Sequence, residues 1–270
     1  EKYRKICIYE YKEFFCLERF KIEKEKKYTK QLINEKNICI AIIVRDQREQ
    51  LRKTLESIKL FSRLNSSQIL IIDNGSRDGL HHWLKRQKEY NYIICGEMIE
   101  GYASILNEVV RQFIDKENLL IMTPDLMMLP KSIEILSNIL KINPAIGTVY
   151  GRNLFRSSKK YKDAVEYNFS KKEEVRVKSV LGIPFQGVLI SNRMLKELEF
   201  DERLILPQNV MNDFAFQGKI KGYDFYEILS ECFYQIGDSS NYYLKKIREE
   251  DERVIIKEKW EMNYFNTTPN

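Results

Sequence analysis

Short apolar segments alternate with helix-like segments from residue 37 onwards, and this alternation restricts the fold more than any other feature of the sequence. Between the apolar segments, apolar residues recur three and four positions apart, as Leu51, Leu55 and Ile58 do, which predicts amphipathic helices. Strands that alternate with helices through short connections are typical of a mainly parallel sheet with helices on both faces. The sequence therefore predicts an α/β fold, with strands at residues 38–44, 69–72, 92–95, 119–122 and 146–150.

Polar residues directly follow several of these predicted strands. Asp73 and Asn74 follow the second strand, Glu97 and Glu100 the third, and Asp125 the fourth. Right-handed crossovers bring the carboxyl ends of parallel strands to one edge, where ligands bind. Clustered carboxylates repel one another unless a metal ion or a positively charged ligand offsets them, so this edge is the predicted site. Neither a GxxxxGKS/T loop nor a GxGxxG turn occurs, which argues against a P-loop or a Rossmann dinucleotide site.

The charge balance favours a small anionic ligand. Lys and Arg number 45 against 39 Asp and Glu, a net charge of +6 that is not concentrated in one basic stripe. A mild excess of this kind suits a nucleotide diphosphate at least as well as a nucleic-acid backbone. A nucleic-acid-binding module is therefore the weakest alternative, and no nucleic-acid partner is expected.

Membrane insertion and disulfide bonding are both disfavoured. The longest wholly apolar run, residues 38–44, has seven residues, whereas a bilayer-spanning helix needs about 20. The five cysteines are scattered, odd in number and without a CxxC pair, which is typical of reduced thiols in a cytosol. We expect a cytoplasmic protein, and peripheral contact with the inner face of a membrane is left open.

Four segments carry a resemblance to a known family. In chain order they read ILIIDNGSRDG, GYASILNEVV, LLIMTPDLMMLP and FDERLILPQNVMNDFAFQGKIKGY. Together they resemble the family 2 glycosyltransferases of the GT-A fold, and YQIGDSS is similar to a segment of the rhamnosyltransferase-like members. The resemblance implies a bacterial enzyme of glycan biosynthesis. Its reaction would transfer a hexosyl or deoxyhexosyl group, with inversion, from a nucleotide diphosphate sugar to a hydroxyl of a glycan, lipid-linked or protein acceptor.

Composition and the resemblance together divide the chain into three parts. Residues 1–36, rich in Lys and Glu, form a predicted N-terminal extension with a short strand and a helix. Residues 37–240 form the predicted GT-A glycosyltransferase domain, and residues 241–270 a C-terminal helical tail.

The resemblance also implies roles for individual residues. The implied nucleotide-sugar-binding residues are Asp73, Asn74, Asp78, Gly101, Asn107 and Asp125. Asp73 would bind the base or the ribose, and Asp78 would close the same turn, while Gly101 and Asn107 would line the donor pocket. Asp125 falls on the second aspartate of the family's DxD motif, which implies that it ligates Mg²⁺ or Mn²⁺ across the donor diphosphate.

Three departures from the family pattern bear on activity. Thr123 replaces the first aspartate of DxD, the family's late histidine falls on Tyr234, and Met211 falls on the usual catalytic base. A slip of the loop by two residues would make Asp213 the general base instead, so Asp213 is the predicted catalytic residue. The alternative is a degenerate member that binds a nucleotide sugar or a partner protein without turnover. The sequence leaves the sugar, the base, the acceptor and the oligomeric state open.

Overall fold

The computed structural model describes residues 17–21, 37–87, 89–95, 101–115, 117–155, 160–170, 174–237, 252 and 254–260 of the 270-residue chain. The predicted strand-end residues Glu97 and Glu100 lie outside these residues, and so does the rest of the predicted N-terminal extension around residues 17–21.

Strands and helices alternate along most of the chain. The strands are β1 (Leu17–Lys21), β2 (Ile38–Val44), β3 (Ile69–Asn74), β4 (Asn91–Cys95), β5 (Asn118–Met122), β6 (Leu126–Met128), β7 (Ile146–Phe155), β8 (Glu174–Ser179), β9 (Val188–Ile190) and β10 (Asp224–Gln235). The helices are α1 (Arg48–Phe61), α2 (Leu80–Leu84), α3 (Tyr102–Phe113), α4 (Ser132–Ile142), α5 (Tyr161–Ser170), α6 (Asn192–Glu197) and α7 (Pro207–Ile220). Residues 252 and 254–260 are also helical and are called the C-terminal helix below.

The described strands form one sheet in the order β1-β8-β10-β7-β9-β5-β2-β3-β4, with β6 paired to β10. Strands β5, β2, β3 and β4 are neighbours and run parallel. Strand β9 lies antiparallel between β5 and β7, and β7 pairs in parallel with β10. The predicted mainly parallel sheet is confirmed, and the short antiparallel strand β9 is an interruption that the apolar pattern did not predict.

Strand β2 illustrates why the sheet is buried on both faces. Ile38, Ile40 and Ile42 face one side and join a core with residues of α1, α2 and α4. Cys39 and Ala41 face the other side, where residues of α3, α6 and α7 cover them. Because successive strand side chains point to opposite faces, a strand with helices on both sides needs a continuous apolar run. Each fully buried isoleucine contributes roughly 1.5–3 kcal/mol to folding.

Two buried hydroxyl groups of α1 hold the turn that follows β5. Thr54 Oγ1 donates to the Pro124 carbonyl at 2.8 Å, and Ser57 Oγ accepts the Met128 N–H at 2.8 Å. Antiparallel pairing of β6 with β10 closes the same turn from the other side. The turn that carries Asp125 is therefore fixed between a helix and a strand.

The two ends of the described chain join the same body. Strand β1, within the predicted N-terminal extension, pairs antiparallel with β8 at one edge of the sheet. Ile255 and Ile256 of the C-terminal helix pack against the apolar cluster that includes α7.

None of the helices in the described ranges has the length and apolarity that a bilayer crossing requires.

The two cysteines with described side chains behave as core residues. Cys39 and Cys232 are both buried. Burial, assisted by the nearby charge of Glu117, raises the pKa of Cys39 to about 12. A thiol with so high a pKa stays protonated at neutral pH and is a poor nucleophile or metal ligand.

Candidate functional site

The carboxyl ends of β5, β2 and β3, three adjacent parallel strands, form one edge of the sheet, called the strand-end edge below. Asp73 and Asn74 are the last residues of β3, and Asp73 is 1% exposed. Asp73 Oδ1 accepts the Ser76 N–H at 2.9 Å, so one carboxylate oxygen shapes the turn after the strand. Both residues lie at the predicted edge, and their contact with a nucleotide stays a prediction.

Asp78 is bound to backbone donors at the starts of two helices. Its Oδ2 accepts the Arg48 N–H at 2.7 Å, at the start of α1. Its Oδ1 accepts the Leu80 N–H at 3.1 Å, at the start of α2. A further bond from the Asp46 N–H to Ser76 Oγ, at 3.0 Å, joins the loops after β2 and β3. The structure thus gives Asp78 a capping role, with both of its oxygens already accepting hydrogen bonds.

Gly101 and Asn107 have different roles on α3. Gly101 precedes the helix with a φ of 115°, a conformation that side chains of L residues disfavour. The Asn107 amide holds a backbone segment, since its Nδ2 donates to the Phe200 carbonyl at 2.9 Å and its Oδ1 accepts the Phe200 N–H at 3.0 Å. Its Nδ2 also donates to Glu202 at 2.9 Å. This arrangement argues against the predicted role of Asn107 as a donor-pocket residue.

Asp125 is the least satisfied acidic group at the strand-end edge. It is 1% exposed, and its Oδ2 accepts a hydrogen bond from Gln235 Nε2 at 3.1 Å. Its Oδ1 is buried and has no hydrogen-bond partner among the described residues. A Cβ at Gly237 would lie 3.0 Å from the Asp125 Cβ and 3.1 Å from its Oδ2, so the backbone passes directly beside the carboxylate. A buried charged acceptor without a donor costs roughly 1–3 kcal/mol or more.

Two glutamines that the sequence did not mark as metal-site residues connect Asp125 to Thr123. Thr123 Oγ1 donates to Gln186 Oε1 at 2.8 Å, and Gln186 Nε2 donates to Gln235 Oε1 at 3.4 Å. Gln186 and Gln235 are 8% and 3% exposed. Thr123, Gln186 and Gln235 are called the amide chain below. Neither glutamine is among the site residues that the sequence predicts, and nothing in the sequence singles out Gln235.

The residue of β10 that faces Asp125 is Gln235 and not Tyr234. The Tyr234 ring packs edge-on against Tyr161 of α5, with ring centroids 5.2 Å apart. Burial raises the pKa of Tyr161 to about 12, and its hydroxyl donates to the Met128 carbonyl at 3.0 Å. Alternate strand residues face opposite sides, so Tyr234 belongs to an apolar cluster. Tyr234, on which the family's late histidine falls, therefore faces away from Asp125.

Asp213 lies in the middle of α7 and is 0% exposed. Its Oδ2 accepts hydrogen bonds from Gln217 Nε2 and Lys259 Nζ, both at 2.8 Å. Its Oδ1 accepts the Trp260 indole N–H at 3.1 Å. Taking a proton from an acceptor hydroxyl requires access to that hydroxyl, so this enclosure argues against the predicted role of Asp213 as the base. Met211, on the family's usual base position, is also 0% exposed.

The C-terminal helix supplies the groups that enclose α7. Glu252, which is 2% exposed, accepts hydrogen bonds from the Ile205 and Leu206 N–H groups at 2.9 and 3.0 Å. It also accepts Asn209 Nδ2 at 2.8 Å. Lys259 Nζ lies 2.9 Å from Asp201 Oδ2 as well as contacting Asp213. The sequence predicts a helical tail at residues 241–270 but not these contacts.

Charge partners stabilise the ionised form of Asp201. Arg203 donates to Asp201 Oδ1 at 2.9 Å and to Oδ2 at 2.7 Å. These bonds are the main reason that the pKa of Asp201 lies well below its usual range, and Lys259 lowers it further while burial opposes both. Asp201 is therefore ionised at neutral pH as part of a structural ion-pair network.

A divalent cation fits the strand-end edge only if the substrate supplies most of its ligands. Within the described ranges, no three His, Cys, Asp or Glu side chains come together as a protein-only metal site requires. Mg²⁺ commonly binds proteins through one or two carboxylates together with substrate phosphates and water. Asp125 Oδ1, which has no hydrogen-bond partner among the described residues, offers one hard oxygen ligand of this kind.

The amino-acid sequence matches the model of one protein family. The model described as "Glycosyl transferase family 2" matches residues 39–198, more than half of the 270 residues. Among curated proteins, none matches the chain in sequence.

Solved structures share the fold at low sequence identity. The mannosyltransferase PcManGT from Pyrobaculum calidifontis, in complex with GDP-Man and Mn²⁺, is 15% identical with a TM-score of 0.56 over 83% of this chain and 63% of that one. GalNAc-T7 with UDP, GalNAc and Mn²⁺ is 10% identical, with a TM-score of 0.59 over 76% and 45%. S. aureus TarS 1-349 in complex with UDP is 10% identical, with a TM-score of 0.55 over 82% and 70%. The chain thus spans less than two thirds of the first two proteins, and the likeness shows the fold.

Proposed function

Since the chain belongs to glycosyl transferase family 2 and has the GT-A fold, we propose that it binds a nucleotide diphosphate sugar at the strand-end edge and transfers the sugar to an acceptor hydroxyl. The observation that carries the proposal is the buried Asp125 carboxylate, whose Oδ1 accepts no hydrogen bond in the described part of the chain. Asp125 can ligate a divalent cation that also binds the donor diphosphate. Asp73 and Asn74 end β3 on the same edge and suit contact with the ribose or the base.

The transfer has two electrostatic requirements. Negative charge develops on the leaving diphosphate, and a divalent cation offsets it when bound. The acceptor hydroxyl must lose its proton as its oxygen bonds to the anomeric carbon and the bond to the diphosphate breaks. Attack from the face opposite the diphosphate inverts the anomeric configuration. Asp125 serves the first requirement, because its buried Oδ1 accepts no hydrogen bond from the described residues.

The finer identity of donor and metal rests on similarity. The structures of PcManGT and GalNAc-T7 each contain a nucleotide or nucleotide sugar together with Mn²⁺, which supports Mn²⁺ or Mg²⁺ for this chain. The YQIGDSS segment supports a hexosyl or deoxyhexosyl donor. The acceptor belongs to the broad class of glycans, lipid-linked sugars and proteins.

One observation favours a second candidate function, donor binding without turnover. Asp213 is the only acid among the first seven residues of α7, and its carboxylate is enclosed by Lys259, Trp260 and Gln217. If no other group takes the acceptor proton, the chain binds a nucleotide sugar and does not transfer it.

The metal-dependent donor site is tested with Asp125→Asn. Calorimetry measures the binding of UDP and GDP to wild type and variant, in Mn²⁺ buffer and in EDTA. The variant should bind the nucleotide more weakly in Mn²⁺ and about equally in EDTA, because the carboxylate acts through the cation. The control Asp163→Asn makes the same change at an exposed position of α5 and should behave as wild type.

Equal affinities of wild type and Asp125→Asn in Mn²⁺ would remove the metal role of Asp125. A radiolabelled nucleotide sugar then separates the two candidates. Release of labelled sugar to water or to an added acceptor supports transfer, whereas Mn²⁺-dependent binding without any release supports the binding-only candidate.

A further inference from the structure

The amide chain runs in one direction, from a hydroxyl to a carboxylate. Thr123 donates to Gln186, Gln186 donates to Gln235, and Gln235 donates to Asp125, over distances of 2.8, 3.4 and 3.1 Å. A glutamine amide has an acceptor end and a donor end. Each bond therefore fixes the orientation of the next amide, and the final donor is directed at Asp125 Oδ2.

This direction determines which oxygen of Asp125 is left for a ligand. Oδ2 receives the Gln235 amide, while the buried Oδ1 receives no donor from the residues that the structure describes. The donor is neutral, so it orders the carboxylate without cancelling its charge. The geometry points to Gln235 and Gln186 as positioning residues that hold Asp125 Oδ1 ready for a hard divalent cation. The inference rests on the proposed function, and it adds residues that act through Asp125.

The physical argument is that of ligand orientation around a metal. Ligating carboxylates are themselves hydrogen-bonded, and loss of the outer partner typically weakens metal binding by 10–100-fold. A site with a single protein carboxylate depends strongly on the rotamer of that carboxylate. Gln235 also lies at the end of β10, whose pairing with β6 and β7 uses backbone groups, so the strand does not need the side-chain amide.

The test replaces the amide and measures Mn²⁺ binding directly. Gln235→Met keeps the approximate length of the side chain and removes both the donor and the acceptor. Mn²⁺ affinity is measured by electron paramagnetic resonance of free Mn²⁺, with UDP present, or with GDP if UDP does not bind. We expect Gln235→Met to bind Mn²⁺ about 10–100-fold more weakly, and Gln186→Met to change in the same direction by a smaller factor.

The chain contains a matched control in another part of the fold. Gln217 Nε2 also donates to a buried carboxylate, Asp213 Oδ2, at 2.8 Å. Gln217→Met removes the same kind of bond from α7 and should leave Mn²⁺ affinity at the wild-type value. A purely structural role of Gln235 would make the two variants alike: lower melting temperature and unchanged Mn²⁺ affinity.

A second variant keeps the test decisive if Gln235→Met does not fold. Gln235→Glu keeps the side-chain length and places a second carboxylate beside Asp125, where Gln235 Nε2 now lies 3.1 Å from Oδ2. Carboxylates this close repel one another unless a cation offsets them, so Gln235→Glu should tighten Mn²⁺ binding. Unchanged Mn²⁺ affinity in the Gln235 variants, with weak binding in Asp125→Asn, overturns the inference alone. Unchanged affinity in Asp125→Asn overturns the proposed metal site and the inference together.

Discussion

At the residue scale, the acidic side chains of the strand-end edge differ in how the protein uses their oxygens. Asp78 gives both oxygens to backbone N–H groups at two helix starts. Asp73 gives Oδ1 to the turn at Ser76, and Asp125 gives Oδ2 to Gln235. A carboxylate whose two oxygens both accept hydrogen bonds from the protein has a structural role, whereas a carboxylate with one oxygen that accepts none can bind a ligand through that oxygen. The resemblance implies the same nucleotide-sugar-binding role for these three aspartates, but their hydrogen bonds differ.

Paired substitutions test the distinction between Asp73 and Asp78. Asp73→Asn keeps an oxygen for the Ser76 N–H and removes the charge, so nucleotide affinity should fall by about 1–3 kcal/mol with little loss of stability. Asp78→Asn leaves one helix-start N–H without its acceptor and should lower the free energy of unfolding by about 0.5–2 kcal/mol. Calorimetry with UDP or GDP measures the first quantity and urea unfolding the second. Loss of stability in Asp73→Asn with unchanged affinity would show that Asp73 serves the turn alone.

At the element scale, α7 depends on a side chain from the C-terminal helix. The residue before α7, Leu206, is apolar and offers no side-chain cap. The buried Glu252 carboxylate accepts the Ile205 and Leu206 N–H groups and brings negative charge to the positive end of the helix dipole. At the middle of α7, Asp213 binds Lys259 and Trp260. The C-terminal helix thus contacts α7 at two points, and its loss exposes a helix start and a buried charge.

Glu252→Gln isolates the first of these contacts. The amide keeps one acceptor oxygen but loses the charge and the second acceptor, so the free energy of unfolding should fall by about 0.5–2 kcal/mol. Glu258→Gln is the matched control, since Glu258 is an exposed residue of the same helix, and it should be within about 0.5 kcal/mol of wild type. Urea unfolding followed by circular dichroism measures both. Equal stabilities of the two variants would mean that Glu252 does not cap α7.

At the scale of the whole molecule, the sequence predicts the parts of the fold that local pattern determines. Strand β2 was placed at residues 38–44 because burial on both faces requires a continuous apolar run, and the structure has the same bounds. Strand β9 escaped prediction, since three residues are too few to show a period. Its place depends on pairing with β5 and β7, which no local pattern encodes.

Site residues were predictable where a turn and a strand end coincide, as at Asp73 and Asp125. The side of the sheet to which Gln235 points could not be predicted. Strand β10 has register irregularities between Ile228 and Phe233, so counting alternate residues along the strand does not give the correct face. The enclosure of Asp213 was also hidden, since Lys259 and Trp260 lie 46 and 47 positions further along the chain. Contacts of that separation depend on the packing of the C-terminal helix.

The ion-pair network that joins the C-terminal helix to the body predicts a specific loss of stability in acid. Hydrogen bonds from Arg203, with a contribution from Lys259, hold the pKa of Asp201 well below its usual range. A carboxyl group with a lowered pKa in the folded state stabilises the fold above its unfolded pKa of about 3.9, and this contribution is lost as the pH falls towards the folded pKa. The stability difference between wild type and Asp201→Asn should therefore be larger at pH 6 than at pH 2.5.

Urea midpoints at the two pH values measure this stability difference. The control is Asp163→Asn, at an exposed position of α5, whose difference from wild type should not change with pH. A difference for Asp201→Asn that stays constant with pH would mean that Asp201 is not held in its ionised form by Arg203 and Lys259.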